Sequence, residues 1–183
     1  MRAPRNVDRA LDAGLEQIRE QFHVPAGFGP EAALAAVTAA RREPGPEHVD
    51  RTARPFVTLD PAGATDLDQA FALETAGGDI VLHYAIADVG SFVQPGDALD
   101  TEAWQRGLTV YLPDERARLY PAAISEGAAS LLPNGPRPAV VFTVRVDEGG
   151  SSRLDGVERA IVHSRAKLAY DSVRPEDLPP EFG

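Results

Sequence analysis

The spacing of apolar residues divides the chain into a helical beginning and a β-rich remainder. Between residues 7 and 22 the apolar residues fall at helical spacing: Leu11, Leu15, Ile18 and Phe22. This spacing predicts an amphipathic helix. The break VPAGFGP follows, and Pro30 stands where a second helix, EAALAAVTAARR, would begin. We therefore expect an N-terminal helical region over residues 1–50.

From Arg54 onward the pattern changes to that of strands. PFVTL predicts a short strand, and LTVYLP predicts another. The stretch DIVLHYAIADV, residues 79–89, is apolar at nearly every position, which is typical of a strand covered on both faces. PAVVFTVRVDEGGSSRLDGVERAIVHS predicts two strands joined by a turn at Gly149 and Gly150.

Two helical segments interrupt these strands. DALDTEAWQRG predicts a short helix, and its Trp104 is expected to pack inward, as a single aromatic on an amphipathic helix usually does. Ser125 is placed to cap a helical turn that contains Glu126. The predicted fold class is α+β, with a mixed, largely antiparallel sheet and packed helices after the N-terminal helical region.

Composition narrows the class of protein. The 183 residues suffice for one well-cored domain, and the absence of cysteine excludes disulfides and thiolate metal sites. The basic N-terminus has no apolar segment after it, and no run approaches the roughly 18 apolar residues of a membrane span. We therefore expect a cytoplasmic protein without a membrane segment, and we expect it to be a monomer.

The acidic charge is concentrated in one part of the chain. The net charge is -10, which disfavours nucleic-acid binding through clustered Lys and Arg. No Lys or Arg lies between Arg54 and Arg106, whereas this segment holds the acids Asp60, Asp66, Asp68, Glu74, Asp79, Asp88, Asp97, Asp100 and Glu102. The distribution of charge is therefore more informative than its sum.

The stretch TLDPAGATDLDQAF, residues 58–71, carries the candidate chemistry. Asp66 and Asp68 are two residues apart and point the same way in an extended segment, and the Pro-Ala-Gly turn can fold Asp60 back beside them. With no cation nearby in the sequence, like charges raise one another's pKa unless a metal ion neutralises them. The alternative is that Asp60 and Asp66 only stabilise turns between strands.

The ligand chemistry selects among metal sites. Carboxylates without His or Cys favour Mg²⁺, with Mn²⁺ as a second candidate. An EF-hand requires a ligand and a glycine where this chain has Ala70 and Phe71. A sugar-nucleotide transferase with an Asp-x-Asp site stays open, although such enzymes usually have alternating β-α units that this chain does not show.

Four segments, in this order between Pro55 and Val173, resemble successive blocks of one known domain. They are TLDPAGATDLDQAF, HYAIADVGSFVQPGDALDTEAWQRGLTVYLP, ISEGAASLLPNGPRPAVVFTV and SRAKLAYDSV. Together they resemble the catalytic RNB domain of the ribonuclease II family. We interpret residues 54–183 as the N-terminal portion of such a domain.

The resemblance implies a 3′-to-5′ exoribonuclease that uses Mg²⁺ to hydrolyse single-stranded RNA to nucleoside 5′-monophosphates. Asp60, Asp66 and Asp68 match three positions of the family's four-aspartate metal cluster, and Gln69 stands at the fourth. Asp66 and Asp68 are the implied catalytic residues, and Tyr111 matches a tyrosine that packs on a base of the RNA 3′ end. By position alone, Arg165 and Lys167 are candidate contacts to the RNA backbone.

Two departures from the family pattern shape the expectations. Gln69 offers an oxygen without a charge, so metal affinity should fall, and a non-catalytic RNA-binding relative is the alternative. The family's domain would continue for about as long again, holding a phosphate-clamping arginine and most of the basic RNA channel. We therefore expect the 183 residues alone to be unstable or prone to association.

Overall fold

The structure, a computed structural model, describes residues 5–178, with side chains described from residue 10 onward. This range contains three α-helices: α1 (Arg5–Gln21), α2 (Pro30–Ala39) and α3 (Ala98–Arg106). Short 3₁₀ turns lie at Val89–Ser91 and Pro175–Asp177, and a π-helical turn lies at Ile124–Ala128. Within the described range no helix is both long and apolar enough to cross a membrane.

Nine strands lie in the same range. They are β1 (Val49–Asp50), β2 (Phe56–Asp60), β3 (Gln69–Ala76), β4 (Asp79–Ala87), β5 (Val110–Tyr111), β6 (Arg116–Ala117), β7 (Arg137–Val146), β8 (Ser152–Val162) and β9 (Ser164–Ala169). Seven of them form one sheet in the order β1-β8-β7-β4-β3-β2-β9. The β1–β8 and β2–β9 pairs are parallel and the others are antiparallel, so the predicted mixed, largely antiparallel sheet is confirmed.

Two groups of buried apolar residues form the core. The first covers one face of the sheet and joins Phe56 of β2 and Val141 of β7 to Leu67 and Leu131 in the connections. The second joins Ala36 and Ala39 of α2 to Phe92, Leu99, Ile124 and Ala129. Because Ala36 and Ala39 belong to this second group, α2 is packed against the part of the chain that follows β4.

Local sequence signals explain several element boundaries. Asp97 caps α3, because its carboxylate accepts a hydrogen bond from the Asp100 amide at 2.9 Å. Gly107, with φ of 74°, ends that helix. The β7–β8 hairpin turns at Gly150, whose φ is 82°. Both helices predicted before residue 50, α3 and this hairpin are confirmed.

One local prediction is wrong, and two are confirmed only in part. Ser125 does not cap a helix, because it lies inside the π-helical turn and its hydroxyl donates to the Tyr120 carbonyl at 3.2 Å. The strand predicted from LTVYLP contracts to Val110 and Tyr111, which pair only with β6. The strand β4 is covered on one face only, since Ile80 is 49% exposed and Ile86 is 39% exposed.

The prediction that Trp104 packs inward is also wrong, since its side chain is 82% exposed. The helix α3 packs through Leu99, which is buried. Trp104 follows Leu99 by five positions, about 140° around a helix, and so it faces away from that contact. The helix is anchored by its leucine and not by its aromatic residue.

Candidate active site at an acidic cleft

The turn after β2 is held by a lysine from the neighbouring strand. The Ala64 amide donates to the Pro61 carbonyl at 2.9 Å, which closes the turn that follows Asp60. Lys167 of β9 donates through Nζ to the Ala62 carbonyl at 2.7 Å and also to the Ala64 carbonyl. The parallel pairing of β2 with β9 brings the lysine to this position.

The segment Asp66-Leu67-Asp68 is anchored through its central residue. Leu67 is fully buried, its amide donates to Ser130 Oγ at 3.0 Å, and its carbonyl accepts from the Leu131 amide at 2.8 Å. The Asp68 carbonyl accepts from the Ala87 amide at 2.9 Å. Because adjacent residues of an extended segment alternate in direction, the inward leucine turns both aspartates away from the core.

The three aspartates line one cleft. Asp60, Asp66 and Asp68 border a cavity of about 390 Å³ together with Tyr111 and Arg116. Burial raises the pKa of Asp60, the charges of Asp68 and Asp66 raise it further, and Lys167 acts in the opposite direction. The carboxylates are therefore close enough to repel one another.

The expectation that no cation lies beside these aspartates is wrong. Arg116 of β6 places Nη1 2.8 Å from Asp66 Oδ1 and Nη2 2.8 Å from Glu126 Oε1. Arg116 is 50 positions from Asp66, so the local sequence could not show the contact. The available signal was the return of arginine, at Arg116 and Arg118, soon after the acidic segment.

The cleft offers the right donor chemistry for a hard divalent cation, since its acidic side chains present only oxygen. Within residues 10–178, however, no three Asp, Glu, His or Cys side chains are grouped closely enough to hold a metal ion. The aspartates border one space without surrounding a single point, and Asp66 is paired with Arg116. The carboxylate oxygens are the type of ligand that a divalent metal ion prefers. The aspartate side chains must move closer together before all of them can bind one ion.

Tyr111 lines the cleft from a short hairpin. Strand pairing sets it opposite Arg116, and its side chain is 71% exposed. A second pocket of about 230 Å³, lined partly by apolar residues such as Leu119, shares Asp66, Asp68 and Tyr111 with the cleft. The hairpin turn is tied to α1 through Arg19, which lies 2.5 Å from Asp114 and 3.1 Å from Glu115.

The structure does not bring every predicted site residue to the cleft. Gln69 is exposed on β3 and its Oε1 accepts a hydrogen bond from the Tyr84 hydroxyl, outside the residues that line the cleft. Arg165 is exposed and donates to the Ala53 carbonyl at 2.8 Å, also outside the cleft. Lys167 is close enough to influence the Asp60 carboxylate, although its ammonium is engaged with the turn.

Comparison with known proteins agrees with this architecture. The model of the RNB domain matches residues 48–175. The chain belongs to the RNB family. The resemblance inferred from the four sequence blocks is therefore confirmed.

Individual relatives show how much of a longer protein the chain represents. It is 41% identical to Exoribonuclease 2 of Proteus mirabilis (strain HI4320) over 127 residues, which is 68% of this chain and 20% of that protein. It is similar to the apo form of Mycoplasma genitalium RNase R, with a TM-score of 0.79 and 25% identity over 86% of this chain and 25% of that one. Mycoplasma genitalium RNase R in complex with ribose methylated single-stranded RNA matches with a TM-score of 0.67 and 28% identity, over 85% of this chain and 23% of that one. The chain thus spans between a fifth and a quarter of these relatives.

Proposed function

We propose that this RNB-family chain serves a 3′-to-5′ exoribonuclease that hydrolyses single-stranded RNA to nucleoside 5′-monophosphates by metal-assisted attack of water. The observation that carries the proposal is the convergence of Asp60, Asp66, Asp68 and Tyr111 on one cleft. These side chains supply anionic oxygen ligands beside an exposed aromatic ring. Oxygen ligands of this kind can hold the metal for phosphodiester hydrolysis, and a ring beside them can stack on a base at the strand end.

The metal set in this proposal is Asp60, Asp66 and Asp68, with Gln69 as a fourth position. When bound, Mg²⁺, or Mn²⁺ in its place, would polarise the scissile phosphate and lower the pKa of a water. Asp60 and Asp66 are the half-buried carboxylates and are suited to holding the ion. Asp68 is exposed, lines the same cleft and is suited to orienting the attacking water. Gln69 would have to leave Tyr84 to contribute.

Tyr111 provides a surface on which any base can stack. Stacking on an aromatic side chain stabilises a bound base by about 1–3 kcal/mol without selecting its identity. The adjoining pocket of about 230 Å³ shares Tyr111 with the cleft and is suited to the terminal nucleoside. Lys167 and Arg165, on the same edge strand, are proposed contacts to the RNA backbone once a phosphate replaces their carbonyl partners.

A non-catalytic RNA-binding relative is the second candidate function, and the placement of Gln69 favours it. The cleft is lined by three carboxylates and Gln69 is held elsewhere by Tyr84. Such a protein would bind RNA without releasing mononucleotides. Membership of the RNB family favours a nuclease over the sugar-nucleotide transferase alternative.

The proposal also includes the domain organisation, the oligomeric state and the cellular location. Residues 54–183 would form the N-terminal portion of the catalytic domain, after a helical region over residues 1–50. We propose a monomer that acts on single-stranded RNA in the cytoplasm.

The decisive experiment incubates the full-length protein with 3′-labelled and 5′-labelled single-stranded RNA, with and without Mg²⁺. We expect Mg²⁺-dependent release of mononucleotides, reduced about 100-fold or more in Asp68→Asn. Asp171→Asn, an exposed aspartate outside the cleft, is the matched control and should retain the rate. RNA binding without mononucleotide release would select the non-catalytic alternative.

The fourth position is tested by Gln69→Asp. A restored carboxylate should lower the Mg²⁺ concentration needed for half-maximal hydrolysis, because a fourth negative charge strengthens cation binding. An unchanged Mg²⁺ requirement would show that position 69 stays outside the metal set.

A further inference from the structure

The guanidinium of Arg116 is part of the acidic cleft. Its Nη1 lies 2.8 Å from Asp66 Oδ1, and its Nη2 lies 2.8 Å from Glu126 Oε1 and 3.3 Å from Thr65 Oγ1. The side chains of Arg116 and Asp66 are 25% and 28% exposed, so solvent reaches this pair only partly. Arg116 therefore bridges the acid cleft to the π-helical turn.

This contact competes with a metal ion for Asp66. A divalent cation that approaches Asp66 meets a fixed positive charge and a carboxylate oxygen already accepting a hydrogen bond. In a cleft lined by three carboxylates, Arg116 offsets one of the three negative charges. The arginine thus weakens the metal site for as long as it stays on Asp66.

An RNA phosphate offers Arg116 another partner. The planar guanidinium binds phosphate oxygens in two-pronged hydrogen bonds as readily as it binds carboxylate. Arg116 lines the cleft in which the aspartates would hold metal and phosphate, so a phosphate there lies within its reach. Release of Asp66 to the metal and capture of phosphate by the arginine can therefore occur in one exchange.

Glu126 provides an anchor for that exchange. It pairs with Arg116 and with Arg118. Burial acts to raise the pKa of Glu126, but the hydrogen bond from Arg118 and the charges of both arginines hold that pKa below its ordinary value. Glu126 therefore stays ionised and tethers Arg116 at the cleft when Nη1 leaves Asp66.

We propose that Arg116 is a positioning residue that couples metal binding to RNA binding, by occupying Asp66 when RNA is absent and turning to a phosphate when RNA is present. The inference rests on the proposed function of the cleft. It assigns a contact to an RNA phosphate to Arg116, which lies on β6. It also makes the metal affinity depend on whether RNA is bound.

The test is calorimetric titration of the full-length protein with MgCl₂, with and without a 2′-O-methylated single-stranded RNA that resists hydrolysis. In the wild type we expect weak Mg²⁺ binding alone and binding about fivefold tighter or more with RNA, the range of a typical coupling between sites. In Arg116→Gln we expect tighter Mg²⁺ binding without RNA and a smaller gain when RNA is added, because the phosphate still ligates the ion but no Arg116–Asp66 pair has to be broken.

A matched control is present two residues further along the chain. Arg118 pairs with the same Glu126 but does not line the cleft. Arg118→Gln should therefore keep the gain that RNA produces in the wild type. Equal effects of the two substitutions would overturn the assignment to Arg116, as would equal coupling in the wild type and Arg116→Gln.

Arg116→Lys keeps the charge and removes the two-pronged geometry, and it serves if the glutamine variant does not fold. It should bind Mg²⁺ alone as weakly as the wild type and show a smaller gain with RNA. An undiminished gain, or no Mg²⁺ binding in any variant, would overturn the proposal. Hydrolysis is scored separately on labelled RNA, so loss of the nuclease function and loss of the coupling are distinguishable.

Discussion

At the scale of single residues, we expect the charged Asp60 carboxylate to lower the free energy of unfolding. Burial raises its pKa, and Asp68 and Asp66 raise it further against the opposing charge of Lys167. When a carboxyl has a higher pKa folded than unfolded, the folded state binds its proton more tightly. The stability it contributes is present at low pH and is lost as pH rises through the folded pKa. At neutral pH the charged Asp60 is therefore destabilising.

Replacing this charge should stabilise the protein. We expect Asp60→Asn to raise the melting temperature at pH 7.5, with a smaller gain at pH 4, because a larger fraction of Asp60 is protonated at the lower pH and the repulsion is weaker there. Scanning calorimetry at the two pH values measures the effect, with Asp171→Asn as the control. A lower melting temperature at pH 7.5 would contradict the proposed repulsion. The same variant should lose Mg²⁺ binding in a MgCl₂ titration.

The exposure of Trp104 leads to a second prediction. Because the side chain is 82% exposed, Trp104→Ala should change the free energy of unfolding by less than about 0.5 kcal/mol. Leu99→Ala on the same helix should cost about 2–5 kcal/mol, because Leu99 is 1% exposed. Urea denaturation compares the two variants. Comparable losses would place Trp104 in the core, as the sequence pattern suggested.

Residue-level prediction from sequence succeeded where the relation was local. The two-residue spacing of Asp66 and Asp68 predicts their common direction, and the structure places both on one cleft. The pairing of Arg116 with Asp66 joins positions 50 apart and depends on where the β5–β6 hairpin packs. No periodicity within a short window contains that information.

At the scale of elements, the connection between β2 and β3 determines the shape of the site. Leu67 is its only fully buried residue among positions 61–68, and its backbone is hydrogen bonded to Ser130 and Leu131. The connection is therefore held near the start of β3, and Asp66 and Asp68, on either side of Leu67, reach the cleft.

Truncation of this anchor should be costly. We expect Leu67→Ala to destabilise the protein by about 2–5 kcal/mol, because the truncation leaves a cavity in the buried cluster that Leu67 shares with Phe56 and Leu131. Leu154→Ala, at a position that is 56% exposed, is the matched control and should cost little. Guanidinium denaturation gives both values. A loss below about 1 kcal/mol for Leu67→Ala would mean that the connection is not anchored by its leucine.

Elements with one dominant pattern were predictable, and elements with mixed patterns were not. The helix α1 carries apolar residues at helical spacing, and the β7–β8 hairpin has a clear turn. The strand β3 has the apolar run AFAL, in which Ala70 and Ala72 are buried and Phe71 and Leu73 are half-buried. All four residues are apolar, so the sequence shows no alternation of apolar and polar positions. The strand β9 is masked by Arg165 and Lys167, which lie on the edge of the sheet.

At the scale of the whole molecule, we expect a buried histidine to make the free energy of unfolding depend on pH. His83 is 3% exposed in the middle of β4, with Nδ1 3.2 Å from Thr143 Oγ1 and Nε2 3.0 Å from Glu74 Oε1. Burial lowers the pKa of His83 below 6.5, Glu74 opposes the shift, and Arg54 adds to it. The unfolded chain therefore binds a proton at a higher pH than the folded protein does.

The difference in the His83 pKa between the folded and unfolded states predicts how stability changes with pH. As pH falls through 6.5 the unfolded state becomes protonated first, so the free energy of unfolding should decrease between pH 7.5 and pH 6. His83→Gln should show a flatter dependence over this interval, because it has no proton to gain. Urea unfolding at several pH values tests the prediction. An identical slope in both proteins would exclude His83 as the source.

The sequence by itself determined the helices and hairpin with strong local signals, the spacing of the acidic residues and the membership of the RNB family. Each of these depends on residue order along a short stretch, or on several such stretches in series. Only the tertiary structure decided that Arg116 meets Asp66, that Tyr111 borders the same cleft and that Gln69 binds Tyr84 outside it. Those contacts depend on strand order and hairpin packing, which bring together side chains that are distant in the chain and carry no signal of one another in local sequence.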